Sequence, residues 1–471
     1  MLNNLEISSE AVSLISAKHA FERDILPIEV KDNVFHVGVP NKNDLKLLND
    51  ISFYTGYKIK AIEIPPDIIL QKLKEIYKQS DTKKNGEEIS TENVVNEYSN
   101  IEFVNQVITG AIKSFSSDIH FESFENSFRV RYRIDGHLRE VLNLPKDRGL
   151  PVASRLKIMA NLDISEKRRP QDGKIRFPFQ NNIIDIRVSS LPTSFGEKIV
   201  LRILNKSQVQ LDLSRLGLSE PQLKILKRNI NLPYGMILVT GPTGSGKTTT
   251  LYAALQAIHS VEKNIITVED PIEYNFEGIN QSNVKPEIGY DFACALRSFL
   301  RQDPDVIMVG EIRDRETAEI AIRASLTGHL VFSTLHTNDS SSAVTRLIDM
   351  GIEPFLVASS LRLVIAQRLV RVLCSCKDKA EVTDLPAGIT DIHAPKGCSN
   401  CSFTGYKGRL AIFELLEINE GLSELISAKR TAEEIRKKAK ENGFLTLRES
   451  GIEKINLGIT SYDEVLRETM L

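Results

Sequence analysis

The sequence contains no apolar run that approaches the roughly 18 residues needed for a membrane-spanning helix. Its first residues, MLNNLEISSE, have neither the basic region nor the apolar core of a signal peptide, so we expect no export. The formal net charge of −2 gives no overall attraction to nucleic acid or to anionic lipid. We therefore expect a cytoplasmic protein that does not bind nucleic acid.

Cysteine is also scarce, with five in 471 residues, and four of the five form two close pairs late in the chain. In a cytoplasmic protein, such pairs indicate a metal site rather than disulfide bonds. The lone Cys294 falls in a predicted helix, where we interpret it as a core residue. The candidate zinc ligands are Cys374, Cys376, Cys398 and Cys401.

The composition that remains is typical of globular proteins, with 41% hydrophobic and 26% charged residues. A chain of this length predicts three domains. The predicted parts are an N-terminal α/β adaptor domain (1–78), a flexible linker (79–99), an α+β domain (100–207) and a larger α/β domain (208–471) with a cysteine-bearing insertion (371–410).

The N-terminal part shows helix-like patterns at residues 11–21, 44–54 and 68–77 and no catalytic constellation. Residues 79–99 are polar and charged, and they contain too few large apolar residues to order themselves. The linker prediction rests on that composition; the alternative is a solvated helix extension.

A phosphate-binding loop follows a short apolar run at residues 236–239, which is typical of a strand buried on both faces of a parallel sheet. The next residues fit G-x-x-x-x-G-K-[ST], in which glycines let backbone N–H groups point at a phosphate. Lys247 is expected to reach the β- and γ-phosphates, and Thr248 to ligate Mg²⁺ at the start of a helix. The predicted ATP-binding residues are Gly241, Pro242, Thr243, Gly244, Ser245, Gly246, Lys247, Thr248 and Thr249.

Strand-like alternation marks the α+β domain. In residues 128–134, apolar residues alternate with three arginines, which places Arg131 and Arg133 on one face of a strand. The Asp135-Gly136 pair predicts a type I′ hairpin turn, and later strand patterns predict an antiparallel sheet. The arginine face is either solvated or directed at an anion.

Alternating strand and helix patterns after the phosphate loop predict a parallel, doubly wound sheet. In such sheets, ligands bind at the carboxyl ends of the strands. Three predicted strands end in Glu269-Asp270, Glu311 and His336. The segment between the first two of these strands predicts a long helix.

Carboxylates at two strand ends allow one of them to bind the metal ion and the other to activate the attacking water. We assign Glu311 to the Mg²⁺ shell and Glu269 to the attacking water, and the two roles can be exchanged. His336 is expected near the γ-phosphate; the alternative is a core histidine. Arg297 and Arg301 lie four apart on one predicted helix face, where they contact phosphate or a neighbouring subunit, or form surface salt bridges.

Four stretches, GPTGSGKTTT, TVEDPIEY, LRSFLRQDPDVIMVGEIRDRETAEIA and GHLVFSTLHTND, resemble the Walker A, Asp box, atypical Walker B and His box of the secretion and pilus ATPase family. With SDIHFE, RYRIDG, RRPQDG and the cysteines, the resemblance covers residues 100–471. It implies a RecA-like P-loop ATPase domain with a parallel sheet, preceded by an α+β (PAS-like) domain and a small N-terminal α/β domain. It also implies a homohexamer with ATP between the second and third domains. The arginines that it directs at the nucleotide are Arg131, Arg133, Arg297 and Arg301.

The same resemblance identifies the four cysteines as a zinc-binding insertion with a closed structural site. The first pair is C-x-C where the family usually has C-x-x-C. This spacing shortens the stretch of backbone between the two cysteines that must bind the same ion. Assembly and secretion motors carry this insertion and an N-terminal domain, whereas retraction motors lack both. Some relatives bind cyclic di-GMP, which is not predicted here because residues 1–78 show no Arg-Leu-Gly-type motif.

The resemblance thus implies a cytoplasmic motor that uses ATP and Mg²⁺ to power type IV pilus assembly or type II protein secretion. Its expected partners are an inner-membrane platform protein and a cytoplasmic adaptor, which would recruit it to the cytoplasmic face of the inner membrane. The sequence does not separate the two machines. The alternative functions are a RecA-like nucleic-acid or DNA-uptake motor and a nucleotide-binding scaffold without turnover.

Overall fold

A computed structural model gives the fold of most of the chain, in two compact units of residues 1–95 and 96–471. Most of the helices predicted at 11–21 and 44–54, and residues 80–90 of the predicted linker, lie outside the described residues. Among the helices that are described, none is long and apolar enough to cross a membrane. The described residues are 7–8, 11–12, 14–15, 20, 23–31, 34–42, 44, 47–48, 51–52, 55, 57–79, 91–180, 182–204, 212–380, 388–401 and 403–470.

The first unit contains a three-stranded sheet followed by a helix. Strand β1 (Leu26–Lys31) is antiparallel to β2 (Val34–Val39), and β2 is parallel to β3 (Lys58–Glu63). Helix α1 (Pro66–Gln79) follows β3. Phe35 on β2 is fully buried, which gives this small unit an apolar core of its own.

Helix α2 (Thr91–Lys113) begins earlier than the sequence predicts. Residues 91–99 belong to it, so the linker prediction is wrong for these residues and the helical alternative applies. They contain no proline or glycine. The helix that buries Val104 and Ile108 can therefore extend back through them, because each added residue contributes one more backbone hydrogen bond.

Six antiparallel strands form a second sheet, in the order β6-β5-β4-β9-β8-β7. The apolar side chains of β5 pack against α2 and α3 (Gly149–Met159), while the intervening arginines lie on the opposite face. Asp135 and Gly136 have positive φ angles of 49° and 88°, which confirms the type I′ turn. The strands are β4 (Asp118–Ser123), β5 (Ser127–Ile134), β6 (His137–Pro145), β7 (Gln171–Phe179), β8 (Asn182–Thr193) and β9 (Gly196–Leu204).

The third sheet has seven strands in the order β12-β11-β13-β14-β10-β15-β18. Neighbouring strands are parallel except for the last pair, in which β18 is antiparallel to β15. The predicted parallel sheet is therefore confirmed. The strands are β10 (Gly235–Thr240), β11 (Ile265–Glu269), β12 (Asn280–Asn283), β13 (Val306–Val309), β14 (Leu330–Leu335), β15 (Leu361–Leu373) and β18 (Tyr406–Glu417).

Helices cover both faces of this sheet. Helices α4 (Glu220–Ile230) and α5 (Lys247–Ile258) pack on one face. The opposite face carries α6 (Phe292–Phe299), α7 (Arg315–Leu326), α8 (Ser340–Asp349), α9 (Pro354–Ser360), α10 (Glu420–Ser427) and α11 (Ala432–Lys440). Helices α12 (Leu447–Asn456) and α13 (Tyr462–Thr469) pack against β15 and β18.

The segment between β11 and β13 does not form the predicted long helix. Pro271 directly follows β11, and side chains of β12 hold the turn after it. Asn283 Oδ1 accepts a hydrogen bond from the backbone N–H of Ile272 at 2.7 Å. Gln281 Oε1 accepts one from the backbone N–H of Phe276 at 2.8 Å. These contacts hold the segment in a turn.

The four-cysteine segment lies between β15 and β18. Cys374 directly follows β15, and Cys401 precedes β18 by a few residues. The short strands β16 (Asp378–Lys379) and β17 (His393–Ala394) pair between them.

Candidate nucleotide-binding and catalytic site

The predicted phosphate loop connects β10 to α5. Gly241, Gly244 and Gly246 have positive φ angles of 150°, 82° and 89°, a region that favours glycine. At Gly241 a Cβ atom would also lie 2.6 Å from the carbonyl oxygen of Gln367 on β15. The Oγ of Ser245 is buried and has no hydrogen-bond partner among the described residues. The loop therefore offers a spare polar group where a phosphate is expected.

Lys247 folds back over this loop. Its Nζ donates hydrogen bonds to the carbonyl oxygens of Gly241 at 2.8 Å and Pro242 at 3.1 Å. Burial lowers the pKa of Lys247, whereas the nearby charge of Glu311 raises it. The ammonium group thus lies at the phosphate loop and close enough to Glu311 to interact with its charge.

The ends of β13 and β14 bring Glu311 and His336 together. His336 Nε2 lies 3.1 Å from Glu311 Oε2, and Arg313 hydrogen-bonds the other carboxylate oxygen. Burial raises the pKa of Glu311, but the hydrogen bonds from Arg313 and His336 outweigh burial and lower it. Glu311 is therefore ionised at neutral pH, as a metal ligand or base must be.

Arg313 also reaches Asp270 Oδ2 at 3.3 Å and so joins the ends of two adjacent strands. The sequence analysis missed it, although it stands two positions after Glu311. The ends of β11 and β13 lie close together at Gly310. A Cβ atom at this position would lie 3.3 Å from the carbonyl oxygen of Val268, so glycine allows the two strands to approach. A glycine at the position where P-loop proteins usually carry aspartate thus moves the carboxylate one residue further.

Glu269 ends the neighbouring strand β11, and its carboxylate contacts a different set of side chains. It is only 4% exposed, and its carboxylate accepts hydrogen bonds from three side chains. Thr267 Oγ1 donates at 2.6 Å, Gln281 Nε2 donates at 3.0 Å, and the hydroxyl of Tyr252 on α5 donates as well. Burial raises the pKa of Tyr252, as does the charge of Glu269. The structure thus places Glu269 in a closed polar network, and its role as a base stays a prediction.

Arg131 and Arg133 are paired within the chain. Arg131 Nε and Nη2 each lie 2.8 Å from an oxygen of Glu122, and Arg133 Nε lies 3.4 Å from Asp118 Oδ2. Lys198 also approaches Glu122, at 3.1 Å. Burial raises the pKa of Glu122, but hydrogen bonds from Arg131 and Lys198 lower it to about 2. A phosphate would have to replace these carboxylates to bind the two arginines.

The Glu122 cluster predicts a pH-dependent stability. The pKa of Glu122 is about 2 in the folded chain, against 4.5 for the same side chain in the unfolded chain. Ionised Glu122 therefore stabilises the fold fully above pH 4.5, and this stabilisation is lost as the pH falls towards 2. We expect Glu122→Gln to lose up to about 3 kcal/mol of unfolding free energy near neutral pH and less in acid. Urea unfolding between about pH 6 and about pH 3 measures this. Glu140→Gln, at an exposed partner 3.9 Å from Arg129, is the control, and an equal loss at every pH would contradict the assignment.

Arg297 and Arg301 do not share a helix face, because α6 ends at Phe299. Arg297 forms an exposed ion pair with Glu316, and Arg301 Nη1 donates to the Arg297 carbonyl oxygen at 2.8 Å. The salt-bridge alternative therefore describes Arg297 in the single chain. Among the described residues, neither arginine contacts Glu311 or His336, so their approach to nucleotide stays a prediction.

Three further hydrogen bonds, which the sequence analysis missed, join the antiparallel sheet to the ATPase part. Arg187 on β8 lies 3.2 Å from Glu273 Oε1 and also donates to the carbonyl oxygen of Ile272. Asp135 Oδ2 accepts from the backbone N–H of Gly408 at 3.0 Å. Period-two alternation places Arg187 on the charged face of the sheet, but nothing in the sequence identifies its partner.

The four predicted metal ligands come together. All four Sγ atoms lie within 4.8 Å of one another. The Sγ atoms of Cys374 and Cys398, and those of Cys376 and Cys401, are 3.9 Å apart, and those of Cys398 and Cys401 are 3.8 Å apart. These separations are close to the ~3.8 Å edge of a tetrahedron with zinc–sulfur bonds of ~2.3 Å. Burial raises the pKa of Cys401, but backbone N–H groups of Cys398 and Gly405 lower it to about 6. The C-x-C spacing is therefore compatible with a tetrahedral thiolate site.

The parallel sheet, the phosphate loop and the strand-end carboxylates define a P-loop ATPase with an α/β fold. Residues 94–467 match the family described as type II/IV secretion system protein, and the chain belongs to this family. Residues 2–83 match the MshEN domain. The resemblance inferred from the motifs is thus confirmed.

Among its relatives, the chain is 43% identical to the type IV pilus assembly ATPase PilB of Myxococcus xanthus, over 99% of this chain and 88% of the relative. It is 50% identical to the type II secretion system protein E of Dickeya dadantii, over 78% of this chain and 75% of the relative. These relatives carry the names of both machines that the motifs allow.

Two solved structures share the fold. The pilus retraction motor PilT with bound ADP has a TM-score of 0.53 and 27% identity, and the match covers 78% of this chain and 97% of PilT. The ATPase DotB of Legionella pneumophila has a TM-score of 0.58 at 22% identity, over 77% of this chain and 94% of DotB, which is a likeness of fold alone.

Proposed function

We propose that this chain is a cytoplasmic, homohexameric motor that hydrolyses ATP to drive type IV pilus assembly or type II protein secretion through an inner-membrane platform protein. The observation that carries the proposal is the meeting of Glu311, His336 and Arg313 at the carboxyl edge of the sheet, where β10 also leads into the phosphate loop. An anionic triphosphate with its metal suits that mixture of charges.

In the proposed mechanism, residues 241–249 hold the phosphates through backbone N–H groups and Lys247. Thr248 and Glu311 would hold Mg²⁺, which would supply positive charge beside the transferred phosphoryl group. His336 holds the second oxygen of Glu311 and orients that carboxylate. For Glu269 to activate water, it must exchange one of its three donors for that water.

The arginines of the antiparallel sheet are proposed to act in the hexamer. Arg131 is bonded to Glu122 in the single chain. If the charged face of a neighbouring subunit closes on the nucleotide, Arg131 exchanges this carboxylate for a phosphate oxygen. Such an exchange stabilises the charge that develops in the transition state. Arg133, with Asp118 as its partner, is proposed to act in the same way.

The four-cysteine segment is proposed to hold a structural Zn²⁺. We expect the purified chain to contain one zinc ion, and Cys398→Ser to lose it and unfold about 5–10 °C lower, because metal binding contributes to folding. Metal analysis and thermal unfolding under reducing conditions measure this. Cys294→Ser, which changes a cysteine on α6 outside the cluster, is the matched control. A full content of zinc in the Cys398→Ser variant would contradict the proposal.

The N-terminal residues favour pilus assembly over secretion. The match to the PilB relative of Myxococcus xanthus spans 99% of this chain, whereas the match to the Dickeya dadantii secretion protein spans 78%. We therefore propose that residues 1–78 dock on the cytoplasmic components of a pilus machine.

Deletion of the gene in its native host tests this function. The expected result is loss of surface pili with normal protein secretion, restored by the wild-type chain but not by Lys247→Ala. Loss of secretion with intact pili would favour the other machine. Normal pili and normal secretion would contradict both, and stimulation of the ATPase by single-stranded DNA would then favour a nucleic-acid motor.

A further inference from the structure

A cavity of about 420 Å³ lies at the carboxyl edge of the parallel sheet, on the side of α8, α11 and α12. Its walls come from β15 and β18, from these helices and from the end of α13. Of the described residues that line it, Leu447 alone is apolar, so the cavity suits a charged or polar ligand. No residue of the phosphate loop is among those described lining residues.

Arg368 on β15 contributes a buried positive charge to this cavity. It is 7% exposed. Its Nη1 donates to the carbonyl oxygen of Gln367 at 3.2 Å, and its Nη2 to the carbonyl oxygen and Oδ1 of Asn338 at 3.1 and 3.3 Å. All three acceptors are neutral, and within the described part of the chain no carboxylate pairs directly with Arg368. A buried guanidinium of this kind is stabilised when an anion binds beside it.

Two more guanidinium groups line the same space. Arg436 Nη2 lies 3.1 Å from Asp339 Oδ2, but its Nε is buried and has no partner among the described residues. Arg448 donates from Nε and Nη2 to Thr469, an acceptor without charge, at 3.1 and 3.2 Å. A guanidinium with free donors matches the oxygens of a phosphate or carboxylate.

The carboxylates of the cavity are already engaged. Glu414 accepts hydrogen bonds from the backbone N–H of Ser340 at 2.9 Å and of Leu447 at 3.1 Å, at the first turns of α8 and α12. Glu468 accepts a hydrogen bond from Arg467 at 3.2 Å. The third carboxylate, Asp339, pairs with Arg436. The charges of Glu468, Glu414 and Asp339 raise the pKa of Arg368, although burial has the larger effect and lowers it. Among the described residues, none of the three accepts a hydrogen bond from Arg368, and Arg436 Nε remains a buried donor without a partner.

We propose that this cavity is a second oxyanion site, separate from the phosphate loop, which binds inorganic phosphate or the phosphate group of a nucleotide. Its ligand is held by Arg368, Arg436 and Arg448. The site adjoins the catalytic machinery, because Gln367, next to Arg368, accepts a hydrogen bond at 2.7 Å from Thr250 Oγ1 on α5, directly after the phosphate-binding residues.

The test uses the full chain with Lys247→Ala, which weakens phosphate binding at the phosphate loop. Calorimetric titration with inorganic phosphate is expected to show one site per chain. Arg436→Gln and Arg448→Gln, each added to this background, are expected to weaken binding at least about tenfold, the loss of one charge-assisted contact of about 1.4 kcal/mol. Arg323→Gln, an exposed arginine on α7 outside the cavity, is the matched control and retains binding.

Competition with ADP separates the two sources. Displacement of phosphate by ADP identifies a nucleotide phosphate as the ligand, and binding of phosphate without such displacement identifies free phosphate; either result supports the site. Unchanged affinity in both arginine variants, or no phosphate binding by the Lys247→Ala chain, overturns it. Thermal unfolding of each variant checks that it is folded before titration.

Discussion

Lys247→Ala is expected to lower the rate of ATP hydrolysis at least about 1,000-fold, because the ammonium group stabilises charge on the β- and γ-phosphates in the transition state. Within the described part of the chain, its Nζ donates to two carbonyl oxygens of the loop that it serves, those of Gly241 and Pro242, at 2.8 and 3.1 Å. No packed core depends on these contacts. The variant should therefore fold normally while losing turnover.

Steady-state phosphate release by the purified chain measures this loss. Lys227→Ala, at an exposed lysine on α4, is the control and should hydrolyse ATP at the wild-type rate. Thermal unfolding should give midpoints that agree within a few degrees for all three proteins. Wild-type hydrolysis by the Lys247 variant would remove the phosphate loop from the mechanism.

Glu269→Ala is expected to lower the stability of the protein, whereas Glu311→Ala is expected to lower the rate of ATP hydrolysis. Removal of the Glu269 carboxylate leaves the hydroxyl groups of Tyr252 and Thr267 without this acceptor, and Gln281 Nε2 keeps only its hydrogen bond to the carbonyl oxygen of Tyr274 among the described contacts. At about 1–3 kcal/mol for each unsatisfied group, we expect a loss of about 3 kcal/mol or more in the free energy of unfolding. Glu311 is partly exposed, and its loss should lower kcat about 100- to 1,000-fold with little change in stability.

Denaturant unfolding and kcat, measured on both variants, separate the two residues. Glu269→Gln refines the comparison, since it keeps one acceptor oxygen and the shape of the side chain. If Glu269→Gln abolishes hydrolysis in a fully stable protein, Glu269 is the base. If it hydrolyses ATP while Glu311→Gln does not, the two predicted roles are exchanged.

Local spacing was sufficient to predict the phosphate loop, because the glycines, Lys247 and Thr248 act within one turn of backbone. Period-two alternation likewise predicted the arginine face of β5 and the hairpin at Asp135. The meeting of Glu311 with His336 followed from a general rule, that parallel strands end at one edge of a sheet. These parts of the site depend on patterns that the sequence carries directly.

Pairings between distant segments were not accessible in this way. The Tyr252–Glu269 contact and the Arg187–Glu273 contact depend on the order of the strands and on the packing of the two sheets, which residue patterns do not specify. The turn after Pro271 was predicted as helix because the side chains that hold it come from β12, a strand whose four residues are all polar and which therefore has no apolar strand pattern.

The hairpin at Asp135 has a consequence for how the ATPase part and the antiparallel sheet stay aligned. Asp135 accepts from the backbone N–H of Gly408, near the start of β18, and Cys401 lies just before that strand. Oxidation of the four thiols would thus disturb the segment whose backbone contacts the hairpin. Oxidation of these cysteines would then misalign the antiparallel sheet and the ATPase part without a chemical change at the phosphate loop.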